Sequence, residues 1–371
     1  MNIKNLLNST INKAKRFRLH RGEIKKQKDK RRVAIANKVS LTREQKKQID
    51  VFFTTNYGKR ISYRWHMIYT AISGKFDYRF FPEYLYAPDF QMISNDPDYY
   101  NGLQDKNILP RIVKGSGLNI KTPAVIFSCS NGIITNADNR VMAEKEMLAE
   151  LYGMDSFFIK PSINSNSGIG CELITKRGDN IGNYAEVVKS SVLSHGKDFI
   201  IQKPLINQDD IAQINPTSVN SFRIISFIID GQINVSPIIL RVGRNDSCCD
   251  NAHSGGLFVA VSDDGEIISN GKTEFGEDVE IHPNSNIHFK GYKIKNVYKI
   301  TNAAKELAAL FPHVGVIDWD FILDEEGEPV VVEANMMYGS VWLIQMAHGE
   351  SVFGDKTARV LQLIKKNKKL F

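Results

Sequence analysis

Cysteine is scarce in this chain, and its few thiols do not follow a metal or disulfide pattern. The 371 residues include 4 cysteines, without a Cys-x-x-Cys pair. Cys248 and Cys249 are adjacent, which is not the spacing of a zinc site. A reduced, cytoplasmic setting is therefore the simplest interpretation. We interpret the adjacent cysteines as ordinary loop thiols, with a redox-active pair as the alternative.

Long uncharged apolar runs are also missing, which argues against a transmembrane helix or an N-terminal secretory signal. The closest stretch, RIISFIIDGQINVSPIIL, is interrupted by Asp230-Gly231, a dipeptide typical of a two-residue hairpin turn. Hydrophobic residues nevertheless make up 42% of the sequence, enough for two or three domains that each bury a core.

The common nucleotide signatures are absent from the most suggestive loop. PSINSNSGIG follows the predicted strand FFIK, but its glycines match neither a Walker loop nor a Rossmann fingerprint. The backbone amides around Ser167 and Gly168 can still approach an anion closely, and Lys160 at the strand end would add a positive charge. From these residues alone, a plain hairpin turn is the more common role of such a segment, and a phosphate-binding loop is the alternative.

Two carboxylates and an amide are predicted to share one face of a C-terminal hairpin. The strands GVIDWDFIL and VVVEAN flank an acidic turn segment. If Leu323 pairs with Val330, alternation places Asp320 opposite Glu333, with Asn335 two positions further on. Opposed like charges repel, so we expect a cation there, and clustered oxygen ligands suit Mg²⁺. The alternative is a half-exposed hairpin with solvated acids.

Positive charge is concentrated at the N-terminus. Residues 1–50 hold 16 Lys+Arg and 4 Asp+Glu, whereas the whole chain carries a net +7, so residues 51–371 carry −5. We rank a solvated or partly disordered helix first and contact with an anionic membrane surface second. Specific nucleic-acid binding is not expected, because aromatic residues do not interleave the basic run.

The order of these pieces resembles the ATP-grasp superfamily, and in detail the sugar-transfer-associated ATP-grasp family of polysaccharide biosynthesis. The resemblance runs from roughly Leu41 to about Gly349. It includes the segments LQDKNILPRIV, FFIKPSINSNSGIG, IIQKPL, SVNSFRIISF, ILRVG, DNAHSGGLF and IDWDFIL…VVVEAN. No single motif is specific, but their joint order is.

The resemblance implies an α+β protein with the ATP-grasp fold. The expected segments are a basic helical segment at 1–43, an N-terminal α/β domain at 44–135, a small mobile subdomain with the glycine loop at 136–203, and a C-terminal mixed or antiparallel-sheet subdomain with the metal site at 204–371.

The family pattern also implies an ATP site. The residues carried over to it are Lys106, Lys160, Ser167, Gly168, Gln202, Lys203, Leu205 and Asp210. Lys106 and Lys160 match the two nucleotide-binding lysines, the connector after FIIQ would bind the adenine edge, and Asp210 would accept from the ribose hydroxyls. A surface lysine in a turn is the alternative for Lys106, and an ordinary strand end is the alternative for the connector.

Metal ligands and catalytic residues follow from the same resemblance. Asp320, Glu333 and Asn335 match the ligands of Mg²⁺, expected as two ions, with Mn²⁺ as a substitute. Arg223 and Arg241 match the catalytic arginines, and a forked guanidinium suits the charge on a transferring phosphoryl group.

The two arginines require an irregular strand. A regular extension from the Asp230-Gly231 turn would place Arg223 and Arg241 on opposite faces. We therefore predict a bulge, and Pro237 is the natural position because it cannot donate to a strand ladder.

The acceptor side is the least defined part of the site. The substrate-binding residues implied by the resemblance are Asp250, Asn251, His253, Gly255 and Gly256. His253 is a candidate proton carrier, although a structural role is the more common one. The family usually has glycine where this chain has Asp318, and we expect this extra acid to contact the metal or point to water.

The activity implied is that of an ATP-dependent, ADP-forming carboxylate–amine ligase working through an acyl phosphate. Its partners would be a saccharide or lipid-linked saccharide and an amine, an amino acid or amino sugar, in surface or capsular polysaccharide biosynthesis. The alternatives are a kinase-like phosphotransferase acting on a saccharide hydroxyl and a non-catalytic ATP-binding scaffold. The expected location is cytoplasmic, with peripheral contact at the inner face of the membrane.

Overall fold

A computed structural model describes residues 3–165, 168–177, 182–245 and 250–367, with side chains from residue 10 onward. Ser167, Cys248 and Cys249 therefore lie outside the described residues.

Helices dominate the first third of the chain and its C-terminal end. They are α1 Ile3–Gln27, α2 Lys30–Ala36, α3 Arg43–Tyr57, α4 Arg64–Ser73, α5 Met92–Ser94, α6 Pro97–Leu103, α7 Leu109–Ser116, α8 Glu144–Tyr152, α9 Tyr184–His195, α10 Asp209–Ala212, α11 Tyr298–Ala308, α12 Trp342–His348 and α13 Thr357–Asn367. A π-helical segment, Tyr86–Gln91, precedes α5. Local signals set several ends: Thr42 and Gln45 form a capping box at α3, which stops at Gly58 with a positive φ of 88°.

Among the described residues, six strands form a small antiparallel sheet. They are β1 Val125–Ser130, β2 Ile133–Asn136, β3 Val141–Met142, β4 Ser156–Pro161, β5 Glu172–Thr175 and β6 Phe199–Gln202, in the spatial order β3-β2-β1-β6-β4-β5. Phe127, Phe157 and Ile201 from the strands pack with Met147 of α8 and Val188 of α9 in one core. Strand β1 and all but the last residue of β2 precede residue 136, the predicted start of the glycine-loop unit, yet both strands belong to this sheet.

A larger sheet contains eight of the described strands. They are β7 Ser221–Ile229, β8 Gln232–Val235, β9 Ile238–Val242, β10 Leu257–Val261, β11 Gly271–Lys272, β12 Asp278–Val279, β13 Val316–Leu323 and β14 Pro329–Asn335. The order is β12-β11-β10-β9-β7-β13-β14, with β8 paired to β7.

Both faces of the large sheet are buried. On one face Ile225 and Ile239 pack with residues of α3, α4, α12 and α13 in an aromatic-rich core. On the other face Ile224, Leu240 and Trp319 pack with α11. The first core draws on residues 35–90 and 341–364, so the predicted segments 44–135 and 204–371 contribute to one core.

The acidic hairpin forms, with one correction to its register. Asp320 lies opposite Glu333, as predicted, but Leu323 pairs with Pro329 instead of Val330. A β-bulge at Val332 adds one residue to β14 and restores the predicted pairing beyond it.

The bulge predicted near Pro237 is confirmed. Asp230 and Gly231 have φ values of 53° and 75°, as in a type I′ hairpin turn. Strand β7 pairs Ile229 with Gln232 but Ser221 with Arg241, so the register shifts by one residue between β8 and β9. Arg241 is therefore brought to the face of the sheet that carries Arg223.

The basic N-terminal segment is not a wholly solvated helix. Ile35 and Ala36 of α2 belong to the aromatic-rich core, and Arg32 is only 5% exposed. Helix α1 is fastened at Arg16, whose Nε lies 2.6 Å from Oδ1 of the buried Asp89. The segment is thus packed on the protein along one side.

Candidate active site

A cleft between the two sheets gathers polar side chains from separate segments. Lys106 lines it from the loop before α7, Lys160 and Gln202 line it from the small sheet, and Glu333 lines it from β14. The loop before α7 is tied to the small sheet because Lys106 N donates to Ser162 O at 2.9 Å. Four residues predicted to bind a nucleotide or a metal therefore lie together.

The two lysines differ in their partners. Lys106 Nζ lies 3.2 Å from Glu333 Oε1 and donates to Ser165 Oγ at 3.1 Å. Lys160 is 6% exposed and forms no ion pair within the described part of the chain. Burial lowers the pKa of Lys160, although the charge of Glu333 opposes this effect. An ammonium group in this setting is stabilised by an anionic ligand.

Asp320 lies between two arginines in the large sheet. Arg223 Nε and Nη2 donate to its two carboxylate oxygens at 2.6 and 2.9 Å, and Arg241 Nη2 lies 3.2 Å from Oδ1. Burial would raise the pKa of Asp320, but the two guanidinium groups outweigh burial and lower it. The two arginines predicted to be catalytic therefore share one site with a predicted metal ligand.

Asp318, on the same face of β13, is completely buried, so the expectation that it contacts water is wrong. Its carboxylate accepts hydrogen bonds from Tyr86 Oη, from Gln91 Nε2 at 3.4 Å and from Ser340 N at 3.2 Å. Burial raises the pKa of Asp318 to about 6, although Arg223, 3.8 Å away, opposes the shift. The Asp318 carboxylate therefore lies near the same guanidinium that donates to Asp320.

Glu333 and Asn335 complete an oxygen-rich face with Asp320. Asn335 Nδ2 lies 3.5 Å from a carboxylate oxygen of each acid, and rotating the amide would present Oδ1 instead. Within the described ranges no three His, Cys, Asp or Glu side chains cluster as a metal site would require. The donors gathered on this face are two carboxylates and one amide, those of Asp320, Glu333 and Asn335. Oxygen donors of this kind fit Mg²⁺ or Mn²⁺.

The predicted acceptor loop reaches Arg241 through Asp250. Asp250 Oδ2 accepts from Ser221 N at 3.0 Å and Ser221 Oγ at 2.5 Å, and lies 3.7 Å from Arg241 Nε. Gly255 has a φ of 93°, and a Cβ on Gly256 would lie 2.4 Å from Asp250 O. The two glycines are therefore required by the tight path of the loop.

His253 is held at the edge of this loop by charged groups. Its Nδ1 lies 2.7 Å from Glu274 Oε2, while Arg32 Nη2 donates to Glu274 Oε1 at 2.8 Å. Asn251 Oδ1 accepts from His253 N at 3.1 Å and caps the short helix that carries the imidazole. The His253 side chain is 53% exposed, so it is oriented by Glu274 yet open to solvent.

Of the residues predicted to form the connector, Gln202 at the end of β6 lines the cleft, and Lys203 and Leu205 are not among its lining residues. Gln202 is 4% exposed, Leu205 is half-buried and Lys203 is exposed. Lys203 N donates to Ala124 O at 2.8 Å, so this amide is already paired within the protein.

Two further predicted ATP ligands lie in different surroundings. Gly168 has a φ of 76°, the left-handed conformation expected of a turn glycine. The Asp210 carboxylate accepts from Gln208 Nε2 at 2.6 Å and from Lys295 N at 2.8 Å. Both oxygens of Asp210 are therefore engaged by the protein.

Several residues that shape the site were not predicted. They are Tyr86, Gln91, Ser221, Arg32 and Glu274. Their partners lie far away in the sequence, so no local pattern pointed to them. Asp318 was the one residue whose type indicated such partners, because a carboxylate on a buried strand requires hydrogen-bond donors.

The model of the sugar-transfer associated ATP-grasp family matches residues 86–361, which is more than half of the chain. The chain therefore belongs to the sugar-transfer associated ATP-grasp family. Its α+β fold is an ATP-grasp fold, as predicted from the sequence.

Similarity to solved structures is low. Carboxyaminoimidazole ribonucleotide synthase from Aspergillus clavatus, complexed with ATP, has 14% identity over 65% of this chain and 47% of its own, with a TM-score of 0.39. D-alanine–D-alanine ligase from Helicobacter pylori has 15% identity over 71% and 60%, with a TM-score of 0.38. The L-amino acid ligase from Bacillus licheniformis has 15% identity over 72% and 48%, with a TM-score of 0.37. This chain thus spans less than two thirds of each of these proteins.

A search of curated proteins found no significant match. Within the described parts of the chain, no helix combines the length and the apolar character needed to span a bilayer.

Proposed function

We propose that this protein is an ATP-dependent carboxylate–amine ligase that works through an acyl phosphate. The observation that carries the proposal is the convergence of cations and oxygen ligands at one cleft of an ATP-grasp family member. Lys106 and Lys160 face Glu333, while Arg223 and Arg241 hold Asp320. Such a site suits the positioning and charge stabilisation on which phosphoryl transfer depends.

Different residues would act on ATP and on the phosphoryl group that is transferred. Lys160 and Lys106 would bind the phosphates of ATP, and Arg223 and Arg241 would stabilise the phosphoryl group as it passes to a carboxylate oxygen. ADP leaves, and an amine then attacks the acyl carbon, expels phosphate and loses a proton.

The metal fits into this scheme as a charge-neutralising group. Asp320, Glu333 and Asn335 would hold Mg²⁺, which offsets the charge of the phosphate oxygens when bound. The glycine loop after β4 would cover ATP and exclude water, which otherwise hydrolyses an acyl phosphate.

The substrate class is the finer part of the proposal. A sugar carboxylate or amine is favoured by the family description and by the polar loop at Asp250, Asn251 and His253, whose groups suit hydroxyl-rich ligands. We propose that a uronic acid or amino sugar of a surface polysaccharide, or of its lipid-linked precursor, is joined to an amine such as an amino acid.

Release of ADP is the first test. Uronic acids and uronic-acid-bearing saccharides are paired with amino acids or amino sugars, in the presence of Mg²⁺ and ATP. We expect ADP release to require a saccharide and to rise further with the amine. Ligation of two free amino acids without any effect of a saccharide would contradict the substrate class.

Hydroxylamine separates a ligase from a kinase-like enzyme. If an acyl phosphate forms, hydroxylamine traps it as a hydroxamate of the carboxylate substrate. Stable phosphorylation of a saccharide hydroxyl without hydroxamate would instead show a phosphotransferase. ATP binding without turnover of any pair would leave a nucleotide-binding scaffold.

A further inference from the structure

Helix α1 presents an outer face that is both apolar and basic. Phe17 is 67% exposed and Ile24 is 38% exposed. They are seven residues apart, so they lie on one side of the helix about 10 Å from each other. The exposed cations around them are Lys13, Arg18, Arg21, Lys25 and Lys28. Among the residues that the structure describes, these cations have no acidic partner.

The opposite side of α1 fixes this orientation. Arg16 forms the ion pair with the buried Asp89, and Lys15 Nζ donates to Tyr100 Oη at 2.6 Å. Leu19 packs against the apolar core that the large sheet shares with α11. Because the helix is fastened through these residues, Phe17 and Ile24 are held outward and cannot turn into the protein.

We propose that this outer face docks the protein on an anionic lipid surface. Phe17 and Ile24 would enter the headgroup region, and the surrounding cations would contact lipid phosphates. An interfacial helix combines an apolar stripe with a basic polar face in this way. The inference does not depend on the proposed ligase activity.

The distribution of charge supports a directed encounter. Residues 51–371 carry a net −5, whereas residues 1–50 carry a net +12. An anionic surface therefore attracts the N-terminal segment and repels the rest, which orients the protein with α1 toward the lipid. Single-stranded nucleic acid is the less suitable partner, because its bases stack on several aromatic side chains and this face has one.

Vesicle co-sedimentation of the full-length protein tests the charged part of the face. We expect binding to phosphatidylcholine vesicles that contain phosphatidylglycerol and none to phosphatidylcholine alone. The double variant Arg21→Gln/Lys25→Gln should bind about 25-fold more weakly, because each cation near an anionic surface contributes about fivefold. The matched control is Lys46→Gln/Lys47→Gln, which removes the same charge from exposed positions of α3 and should bind like the wild type.

A second pair of variants tests the apolar part. Phe17→Ser should weaken vesicle binding several-fold, and the loss should persist when salt screens the charges. Val51→Ser is the control, since Val51 is 58% exposed on α3 and lies outside the face. Melting temperatures of all variants should match that of the wild type, because every changed side chain is exposed.

Three results would overturn the proposal. The first is absence of binding to anionic vesicles at low salt. The second is an equal loss in the two double variants, which would show attraction by net charge without a defined face. The third is binding to single-stranded RNA that exceeds vesicle binding and is unaffected by Phe17→Ser.

Discussion

The charged groups of the two sheets are arranged in opposite ways. On the large sheet Asp320 is enclosed by Arg223 and Arg241, so the buried charges there neutralise one another. On the small sheet Lys160 is just as buried but has no acid within ion-pair distance in the described chain. The large sheet therefore holds a preformed electrostatic frame, whereas the small sheet presents a cation whose charge is best balanced by a ligand.

The two sheets also differ in how many of their faces are covered by an apolar core. The large sheet is covered by cores on both faces, while the small sheet has its core on the face covered by α8 and α9. Phe157 and Ile159 of β4 enter that core, so alternation turns Lys160 to the uncovered face, toward the cleft. The small sheet thus turns a buried, unpaired cation toward the cleft, whereas the large sheet is enclosed by apolar cores on both faces.

Among the variants that test this difference between the two sheets, we expect the largest effect, a loss of turnover, in Glu333→Gln. The change removes one charge from the oxygen-rich face of the large sheet, and we expect the rate to fall on the order of a thousandfold, because metal-assisted charge stabilisation contributes several kcal/mol. Glu333 is partly exposed, so the melting temperature should stay close to that of the wild type. Normal Mg²⁺-dependent turnover in this variant would remove Glu333 from the proposed metal site.

Asp320→Asn should destabilise the cluster of buried charges on the large sheet. It leaves two buried guanidinium groups without their carboxylate, and removing one partner of a buried pair costs about 3–5 kcal/mol of stability. Denaturant unfolding, with Glu333→Gln as the partly exposed control, measures the difference. Equal stability of the two variants would mean that the arginines are not held by Asp320.

Lys160→Met tests the small sheet. The unliganded variant should be at least as stable as the wild type, since a buried, unpaired charge is removed. ATP affinity should fall by about 1.5–3 kcal/mol, the contribution of a charge-assisted contact. Calorimetric titration with ATP measures this loss, and Lys106→Met is the comparison, because Lys106 already has Glu333 as a partner. Unchanged affinity in Lys160→Met would contradict the role of Lys160.

The pH dependence of stability tests Asp318. Burial raises its pKa in the folded protein to about 6, above its ordinary 3.8. Its contribution to stability is thus complete below the lower value and is lost as the pH rises through about 6, a change of about 3 kcal/mol. In Asp318→Asn this part of the pH dependence should vanish. Parallel stability–pH profiles of wild type and variant would show that Asp318 does not titrate in this range.

The smallest effect concerns the hairpin turns of the two sheets. Gly132 in the small sheet and Gly231 in the large sheet have φ values of 83° and 75°, and a Cβ on either would have no heavy atom within 4 Å. Replacing either glycine by alanine should cost about 1 kcal/mol through backbone strain. Hydrogen exchange should show Gly132→Ala loosening the small sheet alone. Uniform loosening of both sheets would mean that they unfold together.

Much of the fold could be predicted because the relevant signals were local. The alternation around Asp320 and the turn at Asp230-Gly231 both follow from patterns within a few residues. The segment VMAEKEMLAELYG has the composition of a single helix, but its first two residues, Val141 and Met142, form β3 and pair with β2. Strand pairing across a turn overrode helical propensity at that point.

The predicted site residues were brought together only in part, and the reason is physical. Lys106, Lys160, Gln202 and Glu333 meet at the cleft because strand ends and turns fixed their positions. Of the two alternatives for Asp318, pointing to water was wrong, and its hydrogen-bond donors were not foreseen because they come from segments more than 200 residues earlier and from the loop after β14. The roles of these residues in catalysis remain predictions.

Because the register shifts at Ser236–Pro237, the position of Arg241 depends on the number of residues between β7 and β9 more than on their identity. Arg241 reaches Asp320 because the number of residues between β7 and β9 has the right parity. An odd insertion or deletion in this connection would turn β9 over, sending Arg241 into the apolar layer beside α11 and Leu240 toward Asp320. Substitutions in the connection should therefore be tolerated widely, while loss of a single codon should abolish the site without removing any of its residues.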